Sequence, residues 1–295
     1  MVDTLRPSTF DEFIGQHELK ARLQVHIEST LTRHQTLEHV FLAAPPGVGK
    51  TSLGVIIANA LGVQHEIVTM PLTNAALTKV LRGFGDGVVI LDEIHRGNRH
   101  SQEDLLPLIE FGYVRQANGS KFYVDEVTFV GTTTDAAKVI LPLRDRFTIK
   151  PPFAEYTDDE MATIVKLMAE KMKLVCNDEV ALKLGRAAAG VPRNARQFVF
   201  AARDLAYTGK SVRPDDVLEF CGVAPDGLSA DHVRYLQIVA LSGTVGLATL
   251  AMMLNLHEDA TRELERLLIH KGMLLYTDRG RELTRVGVAR SKGTI

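Results

Sequence analysis

HVFLAAPPGVGKT, residues His39–Thr51, is the stretch of this chain that decides its fold. A short apolar strand, His39–Ala43, runs into a turn of prolines and glycines, and helix-forming residues follow from Thr51. The glycines let successive backbone N–H groups face an anion, and the helix start adds the positive end of its dipole. Lys50 is then placed to reach the β- and γ-phosphates of a nucleotide, and the Thr51 hydroxyl to bind Mg²⁺. The stretch therefore predicts a P-loop, with Ala44 in place of the first glycine of the strict pattern.

A second apolar run, Val88–Leu91, ends in two acidic residues. Such a run is typical of a strand that is buried on both faces of a parallel sheet. Beside a P-loop, Asp92 can hold Mg²⁺ and Glu93 can polarise the water that attacks the γ-phosphate. A third strand runs into Gly131–Thr134, where a hydroxyl could orient that water or could simply belong to a threonine-rich turn.

Two arginines further along the chain fit the same chemistry. Arg146 lies in the string Leu143–Phe147 and could reach the γ-phosphate of a neighbouring subunit, although an isolated arginine pair is usually a solvated surface. Arg193 follows Gly190-Val191-Pro192 at the start of a predicted helix, where it could report the state of the nucleotide.

The order of the elements predicts the domain organisation. Strands separated by segments of helical length predict an α/β domain with a parallel sheet and right-handed crossovers. Pro151-Pro152 breaks this pattern, and the following stretch reads only as helices. After a second break at Gly222–Gly227, three helices and a strand-turn-strand predict a winged helix. We therefore expect a nucleotide-binding α/β domain over 1–152, a small all-α domain over 153–223 and a winged helix over 224–295.

The composition is that of a folded protein, since 45% of the 295 residues are hydrophobic and 24% are charged. No apolar run approaches the roughly 18 residues that span a bilayer, and the first six residues lack the apolar stretch of a secretory signal. Cys176 and Cys221 form neither a CxxC pair nor a zinc pattern, as expected of thiols in a reducing compartment. We expect a cytoplasmic protein without a membrane segment.

The net charge of −2 conceals a basic C-terminal end. From Leu267 onward, only Asp278 and Glu282 oppose its basic residues. Such an end could contact nucleic acid or could be a solvated, slightly positive surface, and charge alone does not decide between them. The basic residues are Lys271, Arg279, Arg281, Arg285, Arg290 and Lys292.

Taken in this order, these elements resemble the AAA+ ATPases, and within them the RuvB family, the motors that drive branch migration of Holliday junctions. The resemblance covers nearly the whole chain, including the C-terminal domain. It is carried by the P-loop, by Asp92–Arg96 (DEIHR), by Pro142–Phe147 (PLRDRF) and by Gly190–Arg193. It implies a hexameric ring that hydrolyses ATP with Mg²⁺ and pulls duplex DNA, with the all-α domain as a lid.

The resemblance also implies roles for individual residues. Glu93 would activate the attacking water, and Thr133 would be the first sensor of the nucleotide. Arg146 would be the finger that acts in trans, and Arg193 the second sensor. Lys50 would stabilise the transferring phosphate. The metal would be held by Thr51 and Asp92, DNA by Arg279 and Arg281, and the nucleotide by Leu5, Arg6, Pro46, Gly47, Val48, Gly49, Lys50, Thr51, Ser52, Tyr156 and Arg193.

One segment departs from the family. Asn118-Gly119, flanked by strand-forming residues, predicts a β-hairpin with a type I′ turn. In the family, a hairpin in this region docks RuvA, the junction-binding partner. Here the hairpin is short and its tip is polar, which puts the docking of a RuvA-like partner in question.

Three functions remain open on the sequence. The first is a DNA motor that acts on recombination junctions, and the second is an ATPase switch that loads or remodels another protein on DNA, as clamp loaders do. The short hairpin slightly favours the second. The third is a non-catalytic DNA-binding regulator, which is disfavoured because a vestigial pocket would be expected to have lost at least one of Lys50, Thr51, Asp92, Glu93 and Arg146.

Overall fold

The computed structural model describes residues 5–124 and 126–293. Their contacts define two compact units, one of which runs to Ile164 and includes Gly190–Arg193, while the other contains Val165–Ala189 and the chain from Asn194. The predicted absence of a secretory signal rests partly on residues 1–4, which lie outside the described residues. No described helix is long and apolar enough to cross a membrane. The division into three domains remains a prediction.

The regular elements alternate along the first half of the chain and are mainly helical along the second. Short 3₁₀ helices cover Ile94–Arg96 and Ala136–Lys138. The strands are β1 (Val40–Ala43), β2 (Gln64–Thr69), β3 (Gly87–Asp92), β4 (Tyr113–Arg115), β5 (Lys121–Tyr123), β6 (Val127–Thr133), β7 (Leu274–Thr277) and β8 (Gly280–Leu283). The α-helices are α1 (His17–Arg33), α2 (Lys50–Leu61), α3 (Asn74–Leu81), α4 (Arg99–Glu103), α5 (Leu106–Phe111), α6 (Leu141–Asp145), α7 (Asp158–Lys171), α8 (Asp178–Ala187), α9 (Pro192–Tyr207), α10 (Pro214–Phe220), α11 (Ala230–Ser242), α12 (Leu247–Leu254), α13 (Glu258–His270) and α14 (Arg285–Ser291).

The central sheet of the first unit has the strand order β1-β6-β3-β2, with every pair parallel. β3 and β6 are buried along nearly their whole length, as their apolar sequences predict. Parallel strands end at one edge of the sheet, so β1, β3 and β6 bring the P-loop, Asp92 and the threonine string to the same edge. The predicted parallel sheet is thereby confirmed. β2 was not predicted, because it lies at the edge of the sheet and most of its residues are exposed.

Three helix ends are capped by residues that suit these positions. Gly62, with φ of 73°, ends α2 as a glycine C-cap. Thr157 and Glu160 form a capping box before α7, in which Glu160 Oε2 accepts from the Thr157 N–H at 2.8 Å and Thr157 Oγ1 accepts from the Glu160 N–H at 3.2 Å. The Asn177 side chain caps α8 by accepting from the Val180 N–H at 2.9 Å.

The predicted hairpin is present as β4 and β5, each three residues long. Its turn, however, is not of type I′, which requires positive φ at both central residues. Gly119 has φ of 83°, whereas Asn118 is not among the residues with positive φ. The Gln116 N–H donates to Ser120 O at 2.9 Å, which closes a three-residue loop with glycine in the left-handed region. The prediction of a type I′ turn was therefore wrong, while the prediction of a hairpin was right.

The second unit ends in the predicted winged helix. α11, α12 and α13 pack around a buried cluster that includes Tyr235, Leu236 and Leu268. The wing is the antiparallel pair β7–β8, in which Thr277 lies opposite Gly280. The two residues between these strands form the tip of the wing.

Candidate functional site

Two glycines with positive φ shape the P-loop. Gly47 has φ of 83° and Gly49 has φ of 106°. A Cβ atom would lie 2.7 Å from Val191 Cγ1 at the first position and 2.8 Å from the Phe13 ring at the second. Both the backbone conformation and the available space therefore require glycine. Ala44 is not among the residues with positive φ, which explains why alanine is compatible with the first position of the motif.

Lys50 lies inside the loop, with 5% of its surface exposed. Its Nζ donates hydrogen bonds to the carbonyl oxygens of Ala44, at 2.9 Å, and Pro45, at 3.0 Å. Lys50 is the first residue of α2 and Thr51 and Ser52 are the next two, so their backbone N–H groups belong to the first turn, whose N–H groups have no carbonyl partner within the helix. Phosphate oxygens are stronger acceptors than carbonyls for an ammonium group, so Nζ is positioned to turn to a phosphate in the loop.

A hydroxyl-carboxylate cluster lies at the same edge of the sheet. Thr51 Oγ1 donates to Asp92 Oδ1 at 2.9 Å, and Thr132 Oγ1 donates to the same oxygen at 2.6 Å. Mg²⁺ prefers oxygen ligands and is usually held by one or two protein groups together with phosphate oxygens and water. The Thr51 and Asp92 oxygens, which lie beside the glycines of the P-loop, fit that ion.

Glu93 follows β3 directly and has φ of 55°, a left-handed conformation that is uncommon outside glycine. Its Oε2 accepts from the Thr134 N–H at 3.2 Å and from the Thr134 hydroxyl at 3.0 Å. His95 Nδ1 lies 3.0 Å from the same oxygen. Burial lowers the pKa of His95, which favours its neutral form. The expected catalytic carboxylate is therefore held by polar groups of its own chain.

The structure places Thr133 differently from the expected first sensor. Thr133 is fully buried, and its Oγ1 lies 3.0 Å from His95 Nδ1 and accepts from the Asp135 N–H at 3.0 Å. The threonine that donates to the Glu93 carboxylate is Thr134, which was not predicted as a site residue. Side chains alternate along a strand, so Thr132 and Thr134 share the side on which Asp92 and Glu93 are bonded. That period of two was the signal that could have identified Thr134.

Tyr156 and Arg193 both lie against the P-loop. The Tyr156 hydroxyl donates to Val48 O at 3.1 Å, and burial raises the pKa of Tyr156, which keeps the hydroxyl protonated as a donor. The Arg193 N–H donates to Gly47 O at 3.2 Å. The Arg193 side chain also lies beside the loop, since its Nε would be 3.6 Å from a Cβ atom at Gly47. Of the two residues expected beside the adenine, Leu5 is buried and Arg6 is exposed.

Arg146 follows the last residue of α6, and Glu110 of α5 orients its side chain. Arg146 Nε donates to Glu110 Oε2 at 2.7 Å, and Arg146 Nη2 lies 2.5 Å from the same oxygen. Arg146 Nη1 donates to Pro142 O at 2.7 Å. Glu110 was not predicted, because nothing in the sequence links two residues that are thirty-six positions apart.

The two arginines of the wing occupy different environments. Arg279 lies at the exposed tip between β7 and β8. Arg281 is bound to Glu265, a fully buried residue of α13, through Nε at 2.7 Å and Nη2 at 3.3 Å. Tyr235 and Tyr276 also donate to this carboxylate, at 2.9 Å and 2.7 Å, and burial together with this bond raises the pKa of Tyr276 to about 12. Arg281 thus balances a buried charge, and only 17% of its side chain is exposed.

We therefore expect the two wing arginines to respond differently to substitution. Arg279→Ala should weaken DNA binding with little loss of stability and lower the salt slope of binding by about one. Arg281→Ala should destabilise the protein by about 3–5 kcal/mol, because it leaves the Glu265 carboxylate buried and unpaired. Fluorescence anisotropy with labelled duplex DNA and urea unfolding measure the two effects. Equal loss of DNA affinity at unchanged stability in both variants would contradict this distinction.

Comparisons with known proteins agree with this arrangement. The family described as "Holliday junction DNA helicase RuvB P-loop domain" matches residues 5–152, and the "RuvB C-terminal winged helix domain" matches residues 225–290. Two relatives named Holliday junction branch migration complex subunit RuvB, from Kosmotoga olearia and Campylobacter fetus, are each 33% identical to the chain. These alignments cover 98% and 95% of this chain, and 92% and 87% of the relatives.

Solved structures show the same similarity. The Thermotoga maritima RuvB Holliday junction branch migration motor is 31% identical, with a TM-score of 0.87 over 98% of this chain and 99% of that one. A substituted variant of the same protein gives a TM-score of 0.88 over 98% of both chains. The similarity therefore extends from the P-loop edge to the winged helix.

Proposed function

The chain belongs to the RuvB family of Holliday-junction DNA helicases, and from this premise we propose that it is an ATP-hydrolysing motor that drives branch migration of four-way DNA junctions. The observation that carries the proposal is the nucleotide edge of the sheet, where Thr51 Oγ1 lies 2.9 Å from Asp92 Oδ1 and Glu93 follows in the chain. The same chain contains a winged helix with the positively charged side chain of Arg279 at the tip of its wing. An ATPase site and a DNA-contacting module are the two parts that such a motor needs.

The chemistry proposed for this edge is direct attack of water on the γ-phosphate of ATP. The P-loop N–H groups and Lys50 hold the phosphates, and Glu93 polarises the attacking water. Mg²⁺, when bound by Thr51 and Asp92, supplies positive charge to the phosphate oxygens. Fixed cationic groups stabilise the charge that develops on the transferring phosphoryl group without having to reorganise.

We assign the first-sensor role to Thr134 instead of Thr133. Thr134 supplies two hydrogen bonds to Glu93 Oε2, so its position governs whether this carboxylate is held or free to turn to water. Arg193 is the proposed second sensor, because it contacts Gly47 through its backbone. It lies in the first turn of α9, which continues to Tyr207, so a displacement at the phosphate is carried along a helix away from the nucleotide.

The proposed working form is a hexameric ring in which Arg146 acts on the ATP of a neighbouring subunit. A guanidinium that is held on one side by a carboxylate can bind a second anion through its exposed edge, and the γ-phosphate of a neighbour is such an anion. A RuvA-like partner is not part of the proposal, because the strands of the β4–β5 hairpin have three residues each. A DNA motor must share a compartment with its DNA. We therefore include a cytoplasmic location in the proposal.

The proposal is tested by ATP turnover measured alone, with linear duplex and with a four-way junction, across a salt series and without a partner protein. We expect the junction to stimulate turnover more than the matched duplex, and the stimulation to fade with salt because phosphate contacts release counterions. Turnover that ignores DNA at every salt concentration would reject the motor and favour an ATPase that loads another protein.

A further inference from the structure

Gln102 of α4 is a buried polar residue that joins two separate segments of the nucleotide-binding unit. Its side chain is 2% exposed. Gln102 Nε2 donates to Gly97 O at 2.8 Å and to Lys138 O at 3.1 Å. Gln102 Oε1 accepts from the Ile140 N–H at 2.8 Å. The amide thus uses both of its donor hydrogens and its acceptor on backbone groups of two segments that are far apart in sequence.

The two segments that Gln102 joins belong to two different catalytic groups. Gly97 caps the 3₁₀ helix Ile94–Arg96, which starts immediately after Glu93. Ile140 caps the start of α6, and Arg146 follows the end of that five-residue helix. Glu93 serves the ATP of its own subunit, whereas Arg146 serves the ATP of the neighbour in the proposed ring. Gln102 therefore connects the segment that follows Glu93 to the start of α6, the helix that precedes Arg146.

Buried amide hydrogen bonds of this kind transmit displacement because they are expensive to break. An unsatisfied buried donor or acceptor destabilises the fold, so a shift of the Glu93 segment favours a matching shift of the α6 segment. Both segments are short and tightly turned. The Asp135 N–H, which precedes the α6 segment in the chain, donates to Thr133 Oγ1 at the end of β6. A change at Glu93 thus has a short path to α6 that does not pass through solvent.

We propose that Gln102 is a positioning residue that couples the nucleotide state of one subunit to the finger that the same subunit offers to its neighbour. The coupling rests on the proposed function, since it requires a ring in which Arg146 acts in trans. It makes hydrolysis at one site depend on the occupancy of the next, without any new contact between subunits.

The test uses mixed rings in which only one kind of site can turn over. Arg146→Ala subunits keep an intact P-loop but lend no finger, and donor subunits lend a finger but do not hydrolyse ATP. One donor is Lys50→Ala, which holds no nucleotide, and the other is Glu93→Gln, which retains ATP. We expect the ATPase rates restored by the two donors to differ by about fivefold or more, the lower end of ordinary coupling between sites.

The decisive measurement repeats this comparison after the hydrogen bonds of Gln102, called the bridge below, are removed in both donors. Gln102→Met removes all three hydrogen bonds at similar side-chain length. Of the three hydrogen bonds, Ile140→Pro removes only the one that the Ile140 N–H donates to Gln102 Oε1, and φ of −59° at Ile140 already suits proline. With either change, the two donors should restore equal rates. Gln116→Met is the matched control, because Gln116 donates to Thr78 Oγ1 at 3.1 Å within the same unit but joins no catalytic segments.

Each outcome decides the proposal. Equal donor rates with Gln102→Met or Ile140→Pro, and unequal rates with Gln116→Met, support the coupling; where one bridge variant does not fold, as judged by circular dichroism, the other decides. A donor difference that survives both bridge variants, or that is absent in unmodified donors, overturns it. Failure of every donor to restore turnover would instead reject the trans-acting finger, and with it the proposed ring.

Discussion

Glu93→Gln is expected to bind ATP as tightly as the unsubstituted protein and to hydrolyse it about 10²–10⁴-fold more slowly, the usual loss when a general base is removed. The amide has the size of the carboxylate and can still accept from the Thr134 N–H and hydroxyl, so the left-handed turn at Glu93 is retained. It cannot polarise water as a base. Single-turnover hydrolysis and equilibrium binding of a fluorescent ATP analogue separate these two effects.

The matched controls for this prediction are the two neighbouring threonines. Thr134→Val removes the hydroxyl that donates to Glu93 at 3.0 Å and should lower turnover with little change in ATP affinity. Thr133→Val removes a hydroxyl that is bonded to His95 and Asp135, and its main expected effect is on stability. A Glu93→Gln protein that hydrolyses ATP at the normal rate would show that the base lies elsewhere, whatever the threonines do.

The fold of the nucleotide-binding unit could be predicted because its signals are local. Each signal determines the structure of residues next to it in the sequence. This holds for the P-loop string, for the apolar run before Asp92 and for the capping residues of α7 and α8. Gly47 and Gly49 illustrate this, since the left-handed backbone that the structure shows is the one that a phosphate cradle requires. The edge strand β2 was not predicted, because an exposed strand lacks an apolar pattern in its sequence.

The parts of the site that could not be predicted depend on contacts between distant residues. The family resemblance implied that Arg281 contacts DNA, whereas its partner Glu265, which lies on a different element, could not be foreseen from the sequence. Glu110 and Gln102 likewise acquire their roles only when α5 and α4 are packed near α6. Thr133 was expected to be the first sensor from the family resemblance, which does not by itself say which threonine of the string lies on the side of Glu93.

The pairing of Arg146 with Glu110 bears on how a finger can serve another subunit. A free arginine side chain samples many rotamers, and ordering it costs up to about 2 kcal/mol. Two nitrogens on one carboxylate oxygen and a third on Pro142 O hold the guanidinium in one orientation. The side chain remains 29% exposed, so its outer edge can meet an anion presented from outside the subunit. An arginine that is held in this way is ordered before the neighbour arrives.

Arg146→Ala is expected to lower ATP turnover by about 10³–10⁵-fold, the range that an arginine finger contributes to phosphoryl transfer. ATP affinity should change little, because the finger belongs to the neighbouring site and acts mainly on the transition state. The matched control is Arg144→Ala in the adjoining helix α6, since Arg144 donates to Ala136 O at 3.3 Å and is not the proposed finger. Steady-state turnover and nucleotide binding, measured on assembled protein, give both quantities.

Mixing Arg146→Ala protein with Lys50→Ala protein gives the stricter form of this prediction. Neither turns over alone, but in a closed ring every interface is of the same head-to-tail kind, so random equal mixing should restore about one quarter of the unsubstituted rate if sites act independently. The quarter arises because half of the subunits keep a working P-loop, and half of those have a neighbour with a finger. A finger that acted within its own subunit would leave the mixture as inactive as its components, since no subunit would then carry both Lys50 and Arg146.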